Sequence, residues 1–459
     1  MPPGDANDGE LSLLKRIFLL AIIVPAVLAS ALRAVAGGPI FIRDAEVENT
    51  IRILATPVFK AAGLDPKAIH IYILLDPTVN AFVAGGQNLF LDTGLLLKVQ
   101  NASQLIGVMA HETGHIAGGH IIRMSNAIKS LTTEAIASLL LGAAVGVASG
   151  QPGAGAAVLM GGQNVADRGM LGYSRNKEAT ADQAALKYLD ASHQSARGML
   201  QFMEILQNEQ LLYAAHPDPY LQNHPLTPSR IRLIRHWVET SKWSNTPVPP
   251  YKVKLFRRMQ AKLFAFLEPP ARTFDRYKAD DHSISARYAR AIAAYRIPDV
   301  PKALRLIDGL IAQRPKNPYF YEMKGQILFD NAKGAEALGP YRTAVRLLPD
   351  NLLMRMELAH VEIEQDDPSL LADAAANLNM TVDGEPDNAA AWHLLGIAYG
   401  KQGKEGLASY ALAEEALLEH HLGQAHYLAE KAARLLPKKG PVWLRLQDIR
   451  TTLLQDGAG

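Results

Sequence analysis

The chain contains no cysteine in its 459 residues. That excludes structural disulfides, a thiolate-bound metal and a cysteine nucleophile. It is compatible with an oxidising compartment without requiring one. An excess of one charge is missing as well. The net charge is only +2, so electrostatics offers no case for nucleic acid as a partner. Charge vanishes altogether between Glu134 and Asp167, where residues 135–150 and 154–162 are rich in Ala, Gly, Leu and Val around Gln151-Pro152-Gly153. Each arm is short for a membrane span, which needs about 20 apolar residues. The segment 135–162 therefore reads as a helical hairpin of small residues, either buried over the domain or making peripheral contact with a membrane.

Long hydrophobic runs are scarce. Lys15 and Arg16 precede one, Ile17 to Leu32, and Ala34-Val35-Ala36 follows it as a small-x-small cleavage site. Pro25 and Arg33 make the run a poor spanning helix. Residues 1–36 are thus expected to be a secretory signal peptide, with an uncleaved anchor as the alternative.

What is present is His111-Glu112-Thr113-Gly114-His115. On a helix the two histidines, four apart, share a face and can bind one metal ion, while Glu112 can act as general base on a water there. Leu105, Ile106, Val108 and Met109 lead into the motif with no proline. His120 is five residues beyond His115 and points away from the ligand face. The third ligand is sought in Ser174-Arg175-Asn176-Lys177-Glu178-Ala179-Thr180-Ala181-Asp182. Ser174 can cap a helix running to Leu189, which sets Glu178 and Asp182 on one face. Glu178 would complete a His, His, Glu set with the fourth position open, and Asp182 could hold the second ring N–H of a ligand histidine. Without the pentapeptide, the two acids would read as a solvated helix face.

Four segments, in the order the family has them along the chain, resemble the gluzincin metallopeptidases of the HtpX/CaaX prenyl endopeptidase-like family. They are the pentapeptide, the S-R-x-x-E-x-x-x-D stretch, Asn80-Ala81-Phe82 with Gly86, and His224-Pro225-Leu226-Thr227-Pro228-Ser229-Arg230. With the features below, the likeness is to the soluble periplasmic branch of that family, and it covers about residues 40–240. It implies one Zn(2+) per chain, held by His111, His115 and Glu178. It also implies Asn80, Ala81 and Phe82 in an edge strand that binds substrate by strand addition. His224 and Arg230 take the family's positions for partners of the oxyanion. His224 could instead occupy the open metal position at rest, and Thr227-Pro228, a cap and first helical turn, leaves a structural role open.

Past Trp243 the pattern turns irregular, with prolines at 247, 249, 250, 269 and 270 and a helical piece near Val253 to Phe266. Beyond this linker the chain repeats. Pro315 and Pro349 are 34 apart, the tetratricopeptide period, and Pro386 follows after 37. Trp392, Leu395, Gly396 and Tyr399 match W-x₂-L-G-x₂-Y, with Tyr321, Lys324, Gly325 and Leu328 in the same slots. The 51 residues from Pro386 to Pro437 leave room for one extra helix. The expected organisation is a signal peptide at 1–36, an α+β zincin-like metallopeptidase domain at 37–242, a proline-rich linker at 243–283, and an all-α tetratricopeptide-repeat solenoid at 284–456. The resemblance implies a periplasmic zinc endopeptidase that degrades misfolded or stalled outer-membrane proteins and assists their assembly. Its partners would be those unfolded substrates and, through the repeats, the outer-membrane assembly machinery. The alternative is a chaperone or scaffold acting mainly through the repeats.

Overall fold

A computed structural model describes residues 40–119, 176–212 and 219–455. The expected signal peptide, His120, Ser174 and the 135–162 hairpin lie outside the described residues. Helix α1 (Ala45–Ala61) opens the first domain, capped by Asp44, whose side chain accepts from the Glu46 and Val47 amides. The strands β1 (Phe41–Ile42), β2 (His70–Leu74), β3 (Ala81–Ala84) and β4 (Asn88–Asp92) form one sheet in the order β1-β2-β4-β3. β2 and β4 run parallel and the other two pairings are antiparallel. Gly85 and Gly86 turn β3 into β4 with φ of 54° and 95°, the left-handed backbone a tight hairpin requires. Strand alternation sends Ile73, Ala81, Leu89 and Leu91 into the core, where α1 and the next two helices, α2 (Thr93–Lys98) and α3 (Ala102–Ala117), pack. The other face carries Phe41, Tyr72, Phe90 and Phe82 in a row of neighbouring rings.

The domain continues through α4 (176–191), α5 (Arg197–Leu212), α6 (Pro219–Asn223) and α7 (Pro228–Thr240). The stretch expected as a linker folds as α8 (Pro250–Leu267) and α9 (Pro270–Arg276), each begun by a proline at its first position. Proline there gives up an amide that has no partner in a helix anyway. Phe256, Met259 and Leu263 of α8 join the core of the first domain, while Ala261 and Ala265 join that of the first repeat. One helix thus belongs to both cores.

The solenoid runs as helix pairs: α10 (Ile284–Arg296) with α11 (Val300–Gln313), α12 (Pro318–Phe329) with α13 (Gly334–Leu347), α14 (Leu352–Glu364) with α15 (Leu371–Gly384), and α16 (Ala389–Lys401) with α17 (Glu405–Leu418). α18 (Leu422–Leu435) and α19 (Pro441–Gln455) close it. The repeated signature has a repeated contact. Trp392 Nε1 donates to the Pro386 carbonyl at 2.9 Å and Tyr321 Oη to the Pro315 carbonyl at 3.2 Å, each six residues back. Gly325 and Gly396 sit where a Cβ would come within 2.6 Å of the Tyr341 and Leu412 side chains, so a larger residue would have to displace them from the paired helix. The first domain and the repeats join through polar contacts: Arg43 reaches both oxygens of Glu385, and Asn49 Nδ2 donates to Tyr319 Oη at 2.5 Å.

Candidate metal centre

α3 starts at Asn101, whose side chain accepts from the Gln104 amide. Apart from Ser103 the helix is buried from Ala102 to Ile116, because neighbours close on it from several sides. Gly107 lies against the backbone of Met199 in α5 and Gly114 against the backbone of Ala181 in α4, both closer than a side chain would allow. These contacts place His111, Glu112 and His115 in the interior, with Glu112 fully buried. α4 brings Glu178 and Asp182 to the same point, the turn after α6 brings His224, and the first turn of α7 brings Arg230.

Ligand atoms of His111, His115, Glu178 and His224 all lie within 4.8 Å of one another. His111 Nε2 is 3.1 Å from His115 Nε2 and 3.2 Å from a Glu178 oxygen, and His115 Nε2 is 3.4 Å from the other. A tetrahedral site with metal–nitrogen bonds of about 2.0–2.1 Å has edges of about 3.3–3.4 Å, so the spacing fits zinc. The hydrogen bonds fix which atoms face inward. His111 Nδ1 donates to Asp182 at 2.9 Å, leaving Nε2 as a lone-pair donor. His224 Nε2 donates to the Ala81 carbonyl at 3.2 Å, so Nδ1 turns its lone pair to Glu178, 3.2 Å away, and to His111 Nε2, 3.3 Å away. Lone pairs and a carboxylate converging at these distances repel unless a cation sits among them.

The charges agree. Glu112, Glu178 and Asp182 are three buried carboxylates against the single guanidinium of Arg230. That excess of two negative charges suits a divalent ion with neutral imidazoles. Burial works against a charged His111, yet its hydrogen bonds to Asp182 and Glu178 push its pKa up to about 10. The pocket thus stabilises positive charge at that nitrogen, and a metal ion would stand where the proton does. Burial lowers His115 to about 3, keeping it a neutral donor. Burial would raise the Glu178 carboxyl, but hydrogen bonds from His111, His115 and His224 hold it well below the carboxylate range. Burial raises Glu112, and among the described residues neither of its oxygens has a hydrogen-bond partner. A buried orphan carboxylate beside a metal position is poised to take a proton.

The structure brings together His111, Glu112, His115, Glu178, Asp182, His224 and Arg230. Arg230 is committed elsewhere than to an open cleft: Nε and Nη2 donate to Asp182 at 2.6 and 2.9 Å, and Nη1 lies 3.0 Å from Glu178 and donates to the Pro225 carbonyl at 2.9 Å. β3 is a terminal strand of its sheet. Ala81 meets the centre through its carbonyl, Asn80 accepts from the side chain of Asn223, the residue before His224, at 3.4 Å, and the Phe82 ring stacks on Phe90 across the other face. Sequence reasoning missed Tyr220, whose buried ring lies 4.7 Å from that of His224. The one available sign was its spacing, four residues before His224 on a helical turn.

The family model described as "Peptidase family M48" matches residues 42–238. A beta-barrel assembly-enhancing protease of Yersinia pestis is 26% identical over 384 residues, covering 80% of this chain and 75% of that protein. The beta-barrel assembly-enhancing protease of Escherichia coli K12 is 25% identical over 412 residues, covering 87% and 82%. A mitochondrial metalloendopeptidase of Schizosaccharomyces pombe is 26% identical over 188 residues, 39% of this chain and 50% of that one.

Proposed function

We propose that the chain, a zinc metalloendopeptidase whose residues 42–238 match the model of peptidase family M48, cleaves unfolded or stalled outer-membrane proteins in the periplasm and assists their assembly. The observation that carries the reading is the buried convergence of His111, His115 and Glu178 beside the orphan carboxylate of Glu112. Its setting is supported by relatives named for beta-barrel assembly that align across the peptidase domain and the repeats alike. The expected signal peptide supports the periplasm. Among the described residues no helix is long and apolar enough to cross a membrane. The repeats would present substrate or dock the assembly machinery, since stacked helix pairs offer a broad concave surface.

When bound, zinc supplies Lewis acidity to the attacking water and the scissile carbonyl. Glu112 accepts the water's proton at a carboxylate oxygen as the water oxygen bonds to the carbonyl carbon, and returns it to the amide nitrogen when the C–N bond breaks. Asp182 keeps the proton of His111 on Nδ1, and Arg230 holds Asp182 and Glu178 in place; Arg230 acts as a positioning residue. His224 is the latch. It fills the fourth donor position, and its other nitrogen is tied to the Ala81 carbonyl. The neighbouring Asn80 carbonyl already accepts from the Asp92 amide inside the sheet, so by alternation the Ala81 carbonyl faces the open edge. A substrate strand adding to β3 would compete for that carbonyl and release His224. Strand addition would then open the site that cuts the strand. The test is Glu112→Gln in full-length protein with unfolded outer-membrane protein as substrate. Zinc should stay at about one per chain while cleavage falls about 10²–10⁴-fold; unchanged cleavage would sink the assignment.

A further inference from the structure

The outer face of the sheet carries a ladder of rings in register. Tyr72 of β2 lies directly across from Phe90 of β4, and Phe90 directly across from Phe82 of β3. Their ring centroids are 5.0 and 4.8 Å apart, and their planes differ by only 16° and 8°. Those spacings match the roughly 4.7–4.9 Å between neighbouring strands, so each strand contributes one ring to a continuous stack. Phe41 of β1 closes one end, tilted at 62° to Tyr72 and 5.7 Å from it. The other end is Phe82, on the terminal strand β3. Among the described residues no second ring lies against it. All three stacked rings are only partly buried, on the face turned away from the core. The ladder therefore stops at the open edge with one ring face unused.

The main chain of β3 decides what can come next to that ring. The Asn80 carbonyl accepts from the Asp92 amide, so Asn80 and Phe82 turn their main-chain groups to β4 while Ala81 and Val83 turn theirs to the open edge. A strand added antiparallel would bond through its main chain to Ala81 and Val83. The residue between those two contacts would stand opposite Phe82 in a non-hydrogen-bonded pair, the arrangement that brings side chains closest, with its side chain on the same outer face. We propose that the ladder continues into the bound substrate, so that Phe82 selects an extended segment with an aromatic residue at that position. This selection rests on the proposed strand addition to β3 and names the segment that it favours. Because the Ala81 carbonyl is tied to His224, the selected residue lies next to the one that would loosen the latch. Strands of outer-membrane barrels alternate in polarity and carry aromatic girdles near both membrane interfaces, so an unfolded barrel protein offers such segments.

The test uses zinc-loaded, full-length protein bearing Glu112→Gln, so that peptides stay intact. The probe is the peptide Thr-Val-Thr-Xaa-Thr-Val-Thr with Phe or Leu as Xaa, labelled with fluorescein at its N-terminus, and anisotropy gives its affinity. The Phe peptide should bind about two- to tenfold more tightly, the worth of one aromatic pair. N-methylation of either neighbour of Xaa should weaken binding, because those amides face Ala81 and Val83, whereas N-methylation of Xaa itself should cost little. Phe82→Leu, or Phe82→Val should the first not fold, should bring the ratio close to one, and Phe82→Tyr should keep it. Equal binding of the two peptides, with N-methylation still harmful, would overturn the ladder and leave strand addition standing. A preference for Phe that survives loss of the Phe82 ring would overturn the ladder as well. Absence of binding, or binding indifferent to N-methylation, would overturn strand addition and the ladder together.

Discussion

Gly114 is the point where the metal helix touches the helix that bears the carboxylates, and replacing it by alanine tests whether that contact sets the site. A Cβ there would lie 2.7 Å from the Ala181 carbonyl oxygen and 3.0 Å from its Cα, where ordinary contact begins near 3.4 Å. Both obstacles are backbone, which cannot swing aside as a side chain can. α3 and α4 must then part by about 0.7 Å at the crossing. Two effects oppose each other. Alanine favours the helix over glycine by about 0.8–1.0 kcal/mol, while overpacking costs about 1–3 kcal/mol. The net stability loss should be about 0–2 kcal/mol. Function should suffer more, because Ala181 lies between Glu178 and Asp182 and both move with it. Zinc affinity should fall about 10–100-fold, as for lost supporting contacts around a metal, and turnover by up to about 10²-fold, as for displacements approaching 1 Å. Chelator competition gives the affinity, calorimetry the stability and cleavage of an unfolded substrate the turnover. Gly339→Ala in α13 is the control. Nothing lies within 4 Å of its Cβ position, so it should stabilise the protein by up to about 1 kcal/mol. Wild-type zinc affinity and cleavage in Gly114→Ala would refute the argument that helix approach positions Glu178.

His224→Ala should raise basal cleavage several-fold, with zinc content near that of the wild type; a lower turnover number at unchanged Michaelis constant would instead make His224 an oxyanion partner. Arg230→Gln leaves Asp182 and Glu178 buried without their cation, so stability should fall by about 3–5 kcal/mol and zinc affinity with it. Wild-type metal binding with reduced turnover would return Arg230 to the oxyanion role that its sequence position suggested. The interface between the domains should weaken as pH rises. Burial lifts the Glu357 carboxyl to about 7, against the opposing charge of Lys262, so the docked state binds a proton that the unfolded chain has lost above about 4.5. That contribution is full below about 4.5 and disappears as pH climbs through about 7, with a slope of at most about 1.4 kcal/mol per pH unit. Hydrogen exchange in α1 and α12 should speed up over that range and lose the dependence in Glu357→Gln; exchange independent of pH in the wild type, once corrected for intrinsic rates, would contradict it.

Much of this molecule was legible from residue order, because its signals are local. His111 and His115 share a helix face by spacing alone, and Trp392 and Tyr321 each open the short repeat signature, 71 residues or two repeats apart. Each depends on residues a few positions apart, whose relative placement the backbone geometry dictates. Glu178 and Asp182 could be nominated for the same reason, as a pair on one face. Nothing local says that this face meets α3, or that Asp182 binds His111 while Arg230 spends its donors on the two carboxylates. Those facts follow from Gly107 and Gly114, which read in sequence as weak helix residues and in the fold as the places where neighbouring backbones touch. The proline-rich stretch after Trp243 shows the same limit. Proline punctuates a sequence whether it breaks a chain or begins a helix, and only the two cores on either side of α8 make it a shared strut. Tertiary structure also decided that His224 faces the metal position while tied to the open edge of β3, since a histidine 109 residues beyond His115 is placed by the packing of everything between them.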